Sequence, residues 1–121
     1  MANVFNDQKK FMLACDQTVG EINNNQYDLY TKLITEEVNE LWTAINNQDA
    51  VEQLDALTDI LVVTIGAIHS MGADAEGAWK EVMRSNFAKI DKETGKVVKR
   101  EDGKVLKPDG WTPPNLKGFI K

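Results

Sequence analysis

Six acidic residues in two short runs are the part of this 121-residue chain best suited to chemistry. Glu36, Glu37 and Glu40 form the first run, and Glu52, Asp55 and Asp59 the second. Spacings of three and four residues put members of a run on one side of a helix. Carboxylates gathered in that way repel one another and are costly to strip of water. A compensating charge is needed, yet residues 33–79 contain no Lys or Arg at all. Protonation would require several carboxylate pKa values to rise together, a large demand. A hard divalent cation bound by oxygen is the remaining way to offset the charge. Two pairs on facing helices, Glu37 with Glu40 and Asp55 with Asp59, could hold one or more such ions. Mg²⁺ or Mn²⁺ suits these donors best.

Other chemistries find no support. Structural zinc is excluded because the chain has one Cys and one His, far apart in sequence. A di-iron carboxylate bundle wants Glu-x-x-His, and the only histidine, His69, has Gly66 three residues before it. There is no EF-hand loop, Walker loop, Gly-x-Gly-x-x-Gly or Ser-His-Asp order. Nothing near Cys15 suggests an activated nucleophile, and it reads as a core residue of its helix. Trp42 and Trp79 also read as core, and His69 as a helix-end or core-edge residue.

The elements that must carry the acids are helices. Apolar spacing predicts four, over about residues 6–19, 27–47, 51–71 and 74–87, with Gly20 and Gly72 as stops. With successive residues 100° apart and Leu33 at 0°, the second helix has Leu41, Ile34, Ile45, Val38 and Trp42 between about 80° and 180°. Glu37 falls at about 40°, between Leu33 and Leu41, while Glu40 and Glu36 step off the edge at about 340° and 300°. The third helix is apolar almost all round, the pattern of a buried helix. Asp55, Asp59 and Glu52 nevertheless share one arc of it, and Gly66 follows in that arc, leaving space beside the acids. Short loops between long amphipathic helices predict antiparallel neighbours in a bundle.

Beyond Lys89 the helical period fades. Residues 96–99 and 104–107 flank the turn pair Asp102-Gly103 and could pair as a small hairpin. Residues 108–121 hold all three prolines and read as an extended arm. The expected organisation is a helical bundle over residues 1–90 and a basic arm over 91–121 that is not an independent domain. Charge follows the same division. Net charge is −9 over residues 1–88 and +4 over 89–121. An acidic body argues against a nucleic-acid-binding face, which demands clustered Lys and Arg. The longest apolar stretch, residues 60–68, is broken by Thr64 and is too short for a membrane span. The lone cysteine and the lack of a signal-peptide apolar region lead us to expect a soluble cytoplasmic protein, in the host cytoplasm if viral.

The words around the acids resemble a known signature. Glu36-Glu37-x-x-Glu40 followed by Glu52-x-x-Asp55 is similar to the EExxE…ExxD pattern of the MazG-like all-α nucleoside triphosphate pyrophosphohydrolases. Val82-Met83-Arg84-Ser85-Asn86-Phe87-Ala88-Lys89 is similar to a V-x-x-S-N-x-x-K segment of a compact branch of that superfamily, often found in phages. Asp102–Lys107 and Trp111-x-Pro113-Pro114 look like that branch too, so the resemblance spans roughly residues 29–114. One departure is Asp59, an extra acid one turn after Asp55.

The resemblance implies a four-helix MazG-like bundle with an extended C-terminal arm, assembled as a dimer or a dimer of dimers. It implies hydrolysis of a nucleoside triphosphate between the α- and β-phosphates, giving a monophosphate and pyrophosphate, with a purine deoxynucleotide such as dGTP favoured by the branch. On that reading Glu37, Glu40, Glu52, Asp55 and Asp59 ligate two or more Mg²⁺ or Mn²⁺ ions. Glu36 orients or deprotonates the attacking water, and Asn86, Lys89 and Lys107 neutralise phosphates. Trp111 would anchor the arm. The competing reading is a metal-stabilised helical module that binds a nucleotide or a partner without turnover.

Overall fold

The computed structural model describes residues 2–120. Its described residues form four α-helices and one short 3₁₀ turn, with no strand, so the all-α, four-helix expectation holds. The chain divides into two compact units, one running to Ala75 and including Ile120, the other spanning Glu76–Phe119. No described helix is long and apolar enough to cross a membrane.

In the first unit, α1 (Val4–Ala14), α2 (Asn24–Asn46) and α3 (Ala50–Ser70) each start on a side-chain cap. Asn3, Asn23 and Asp49 accept from the backbone N–H three residues on, at 3.0, 3.1 and 3.1 Å. Such caps satisfy an otherwise orphaned donor, and they start the helices one to three residues before the apolar period does. Helix α1 also ends earlier than expected. Cys15 caps it and Asp16 turns left-handed at φ 58°, so Gly20 lies well past its end. The loop Asn47–Asp49, with Gln48 at φ 54°, folds α3 back on α2 as an antiparallel hairpin.

Helix α3 packs on α2 and on α1. The core is small: Met12, Tyr30, Val63 and Ala67, with Val19, Tyr27, Leu33 and Ile34 against it. Gly66 belongs to this core and not to an open space beside the acids. A Cβ there would lie 2.6 and 2.8 Å from Cδ1 and Cζ of Tyr30, so the missing side chain lets the tyrosine ring lie on α3. The Tyr30 hydroxyl bonds Gln17 Oε1 at 2.5 Å. Gln26 joins the α1–α2 loop to α3, donating to Thr18 O at 2.7 Å and to the fully buried Ser70 Oγ at 2.8 Å. His69, buried near the end of α3, meets Phe5 O at 2.9 Å through Nε2.

Several core expectations are corrected. Cys15 is exposed, because α1 ends at it. Trp42 and Trp79 are more than half exposed. Helix α3 is buried at Ala56 and, all round its C-terminal part, at Val63, Ile65, Gly66, Ala67, His69 and Ser70. Leu54, Leu57 and Leu61, nearer its N-terminus, are exposed.

In the second unit, α4 (Ala75–Phe87) leads into a short paired segment. Isolated antiparallel bridges join Ile90 to Val97 and Lys99 to Val105. Leu106 N–H donates to Val98 O and Arg100 N–H to Lys104 O, both at 2.8 Å, around Asp102-Gly103. The small hairpin is therefore present, though too short and irregular for named strands. Residues after Pro108 run without regular structure until a 3₁₀ turn at Lys117–Phe119.

Candidate functional site

Pairing α2 with α3 sets their acids against one another. Glu37, placed by its helix between Leu33 and Leu41, is half-buried. Its Oε2 is buried and has no hydrogen-bond partner. Burial first, then the adjoining Glu40 carboxyl and the charges of Asp59 and Asp55, push the Glu37 pKa up to about 7. Burial also raises Asp59, helped by the charges of Asp55 and Glu40 and by the adjacent Asp55 carboxyl. Glu37, Glu40, Asp55 and Asp59 thus form one interacting group drawn from two helices.

The other two acids stand apart from this group. Glu52 lines a shallow groove of about 500 Å³ with Asn39, Glu40, Thr43, Asn47 and Asp49, so Glu40 borders both features. Glu36 is exposed on α2 and is not among the charges acting on Glu37 or Asp59. Among the described residues, no three His, Cys, Asp or Glu side chains form a ready-made metal cage. The four carboxylates make an acidic cluster and not a closed coordination sphere. Its chemistry still fits a hard cation. All donors are oxygens, and a buried carboxylate oxygen without a partner is a group that gains from a positive charge.

The cationic candidates gather at the end of α4. Lys89 Nζ lies 3.4 Å from Asn86 Oδ1. Lys89 Nζ and Lys107 Nζ stand 5.3 and 4.7 Å from the centre of the Trp111 ring. Both lysines line a groove of about 560 Å³ with Lys92, Val98, Leu106 and two acids, Asp91 and Asp109.

Trp111 owes its position to the helix end. An α-helix leaves its last four carbonyls without intrahelical partners. Here Arg84 O accepts from Ala88 N–H at 2.9 Å, Asn86 O from Lys89 N–H at 3.1 Å and Phe87 O from Ile90 N–H at 3.0 Å. Ser85 O accepts instead from the Trp111 indole N–H, at 2.6 Å.

Two residues in this unit escaped sequence reasoning. Arg84 Nε pairs with Glu81 Oε1 at 2.8 Å, and both reach the C-terminal segment. Their three-residue spacing on a helix was the available signal. Its link to residues 112–115 is a tertiary contact that no local pattern announces.

Comparison with known proteins gives one family. A sequence model described as Phosphoribosyl-ATP pyrophosphohydrolase matches residues 9–86. No curated protein matches the chain.

Proposed function

The chain belongs to the phosphoribosyl-ATP pyrophosphohydrolase family, within the MazG-like all-α superfamily, and on that premise we propose that it hydrolyses a nucleoside triphosphate to a monophosphate and pyrophosphate in a metal-dependent reaction. The family supports a hydrolase acting on acid anhydrides. Its matched region includes all six acids and Asn86. Phosphoribosyl-ATP is itself a nucleoside triphosphate, and releasing pyrophosphate from it breaks the same α–β anhydride as in an ordinary triphosphate. Our preferred substrate is a purine deoxynucleoside triphosphate.

The observation that carries this reading is the unpartnered, buried Glu37 oxygen amid three further carboxylates. Such a group resists desolvation unless a cation accompanies the substrate. Glu37, Glu40, Asp55 and Asp59 would hold Mg²⁺ or Mn²⁺, two or more ions in all, with Glu52 reaching from the adjoining groove. Divalent ions so held supply charge neutralisation for the phosphoryl oxygens and lower the pKa of bound water. Glu36, free of the cluster, orients or deprotonates the attacking water. Asn86, Lys89 and Lys107 bind phosphate oxygens through their amide and ammonium donors. Leu33 and Leu41 stand one helical turn either side of Glu37, on an apolar arc of α2.

The test is a pyrophosphate-release screen of the eight common ribo- and deoxynucleoside triphosphates together with phosphoribosyl-ATP, with Mg²⁺ and after chelation. We expect turnover of at least one substrate that disappears with chelator and falls at least a hundredfold in Glu37→Gln or Asp55→Asn. Nucleotide binding without release would support the non-catalytic module instead. Full activity after exhaustive chelation would end the metal assignment.

A further inference from the structure

We propose that Glu81 and Arg84, outside the acidic cluster, are positioning residues that fasten the C-terminal segment to α4 and thereby hold Lys107 beside Lys89 for one phosphate chain.

The fastening is made of backbone contacts. Arg84 Nη2 donates to Thr112 O at 3.3 Å and to Pro113 O at 3.2 Å. Glu81 Oε2 accepts from Asn115 N–H at 2.7 Å. The two side chains also bond each other, at 2.8 and 3.2 Å, so each keeps the other aimed at the segment. Charge-assisted bonds of this kind are stronger than neutral ones. Their mutual pull holds Glu81 below its ordinary pKa and Arg84 above its own, and both stay ionised across neutral pH.

From residues 112–115 the constraint passes to Lys107 through a tight turn. Trp111, which caps Ser85 O, is next to the clamped segment. Its own N–H returns to Pro108 O at 3.1 Å, with Gly110 at φ 78°, a backbone conformation open chiefly to glycine. Lys107 directly precedes that turn, and its ammonium stands over the Trp111 ring on which Lys89 also rests. Among the described residues neither ammonium is held in an ion pair. Two like charges sharing one indole repel each other, and a polyphosphate between them would relieve that repulsion. The carboxylates of Asp91 and Asp109 line the same groove and set its limit for anions.

This inference rests on the reading of Lys107 as a phosphate-binding residue, and its test is independent of turnover. The full chain is titrated with inorganic pyrophosphate by calorimetry, for the parent and for Lys107→Ala, Glu81→Ala, Arg84→Ala and the Glu81→Ala/Lys107→Ala pair. Losing a charged contact should weaken binding about tenfold or more in each single variant. The double variant should be no weaker than Lys107→Ala alone, because the clamp acts through that lysine. Glu81→Gln keeps an acceptor for Asn115 N–H and should recover part of the affinity. If Glu81→Ala proves unfolded by circular dichroism, Arg84→Ala, which removes only the bonds to Thr112 and Pro113 and the ion pair, gives the reading. Parent affinity in both Glu81→Ala and Arg84→Ala, or a double variant losing the full product of the two effects, overturns the clamp, as does a parent chain that binds no pyrophosphate. A failed hydrolysis screen with this binding pattern intact would count against the proposed activity and leave the clamp standing.

Discussion

Glu37 is the most consequential single residue, because its environment favours the neutral acid while the proposed role requires the anion. Its pKa stands at about 7 in the fold, against 4.5 for an ordinary glutamate. Between those values the folded chain keeps a proton that the unfolded chain has released. Stability of the metal-free protein therefore falls as pH rises through that window, and levels off above it. Asp59, also raised, contributes in the same direction. Glu81 and Asp102 are held below their ordinary values, so their contribution is present above the carboxylate range and lost only in more acidic solution. Urea titration of the chelated protein should thus show greater stability near about pH 5.5 than near about pH 7.5. The expected difference is on the order of 1 kcal/mol, allowing for partial solvent screening. Glu37→Gln should flatten most of that slope. Mg²⁺ added at the higher pH should restore stability to the parent and much less to the variant. A flat profile in the parent would show that Glu37 is ionised without cost, and the case for a cation at this place would fail.

Between elements, the contact of α2 with α3 depends on Tyr30 lying where Gly66 has no side chain. Helix propensity alone would favour alanine at position 66 by about 1 kcal/mol. The structure predicts the opposite sign. An added methyl would sit within 2.8 Å of the ring's Cζ, and the ring can give way only by moving Tyr30 away from Gln17. Overpacking of that kind costs about 1–3 kcal/mol. Gly66→Ala should therefore lower the denaturation midpoint, and Tyr30→Leu in the same chain should recover part of the loss. A Gly66→Ala protein as stable as its parent would mean that the helices separate easily. In the second unit the corresponding element contact is the Trp111 indole on Ser85 O. Trp111→Ala leaves that carbonyl without a partner and frees both lysines from their common platform, without altering any charge.

For the whole molecule, apolar exposure is the dominant feature. Leu54, Leu61 and Trp42 are 67%, 63% and 59% exposed on the α2–α3 hairpin, and Val51, Leu57 and Ile45 add to them. Burying one such side chain is worth about 1.5–3 kcal/mol, so a surface of this kind gains strongly from covering itself with another copy. Light scattering at micromolar concentration should find a dimer or a larger closed assembly. Leu61→Glu should shift it towards the monomer, since a glutamate in a covered apolar face must be desolvated without a partner. A parent chain that stays monomeric throughout that range would contradict this.

What the sequence by itself determined are the features written in local spacing. Apolar periodicity gave the four helices, because burial of one face at a 3.6-residue repeat leaves a visible imprint. The turn pair Asp102-Gly103 located the small hairpin, since few residues accept its backbone angles. The acidic runs, and their want of any basic neighbour from residue 33 to 79, were legible for the same reason. Boundaries were less so: α1 stops at a Cys15 cap and a left-handed Asp16 that nothing in the pattern marked. Angle counting put Glu37 within an apolar arc and paired it with Glu40 opposite Asp55 and Asp59, but it could not say that burial and these charges together would raise its pKa while Glu52 and Glu36 stayed out of the group. That was decided by the register of α2 on α3, which sets Glu37 and Glu40 against Asp55 and Asp59 and leaves Glu36 and Glu52 aside. Gly66 pointed towards open space until Tyr30, 36 residues earlier, came to fill it. The Glu81–Arg84 clamp likewise exists only because a carbonyl at the end of α4 and the backbone of residues 112–115 are brought together. Local propensity is a property of a residue and its near neighbours, whereas desolvation, charge repulsion and carbonyl capping depend on whatever the folded chain places within a few ångströms.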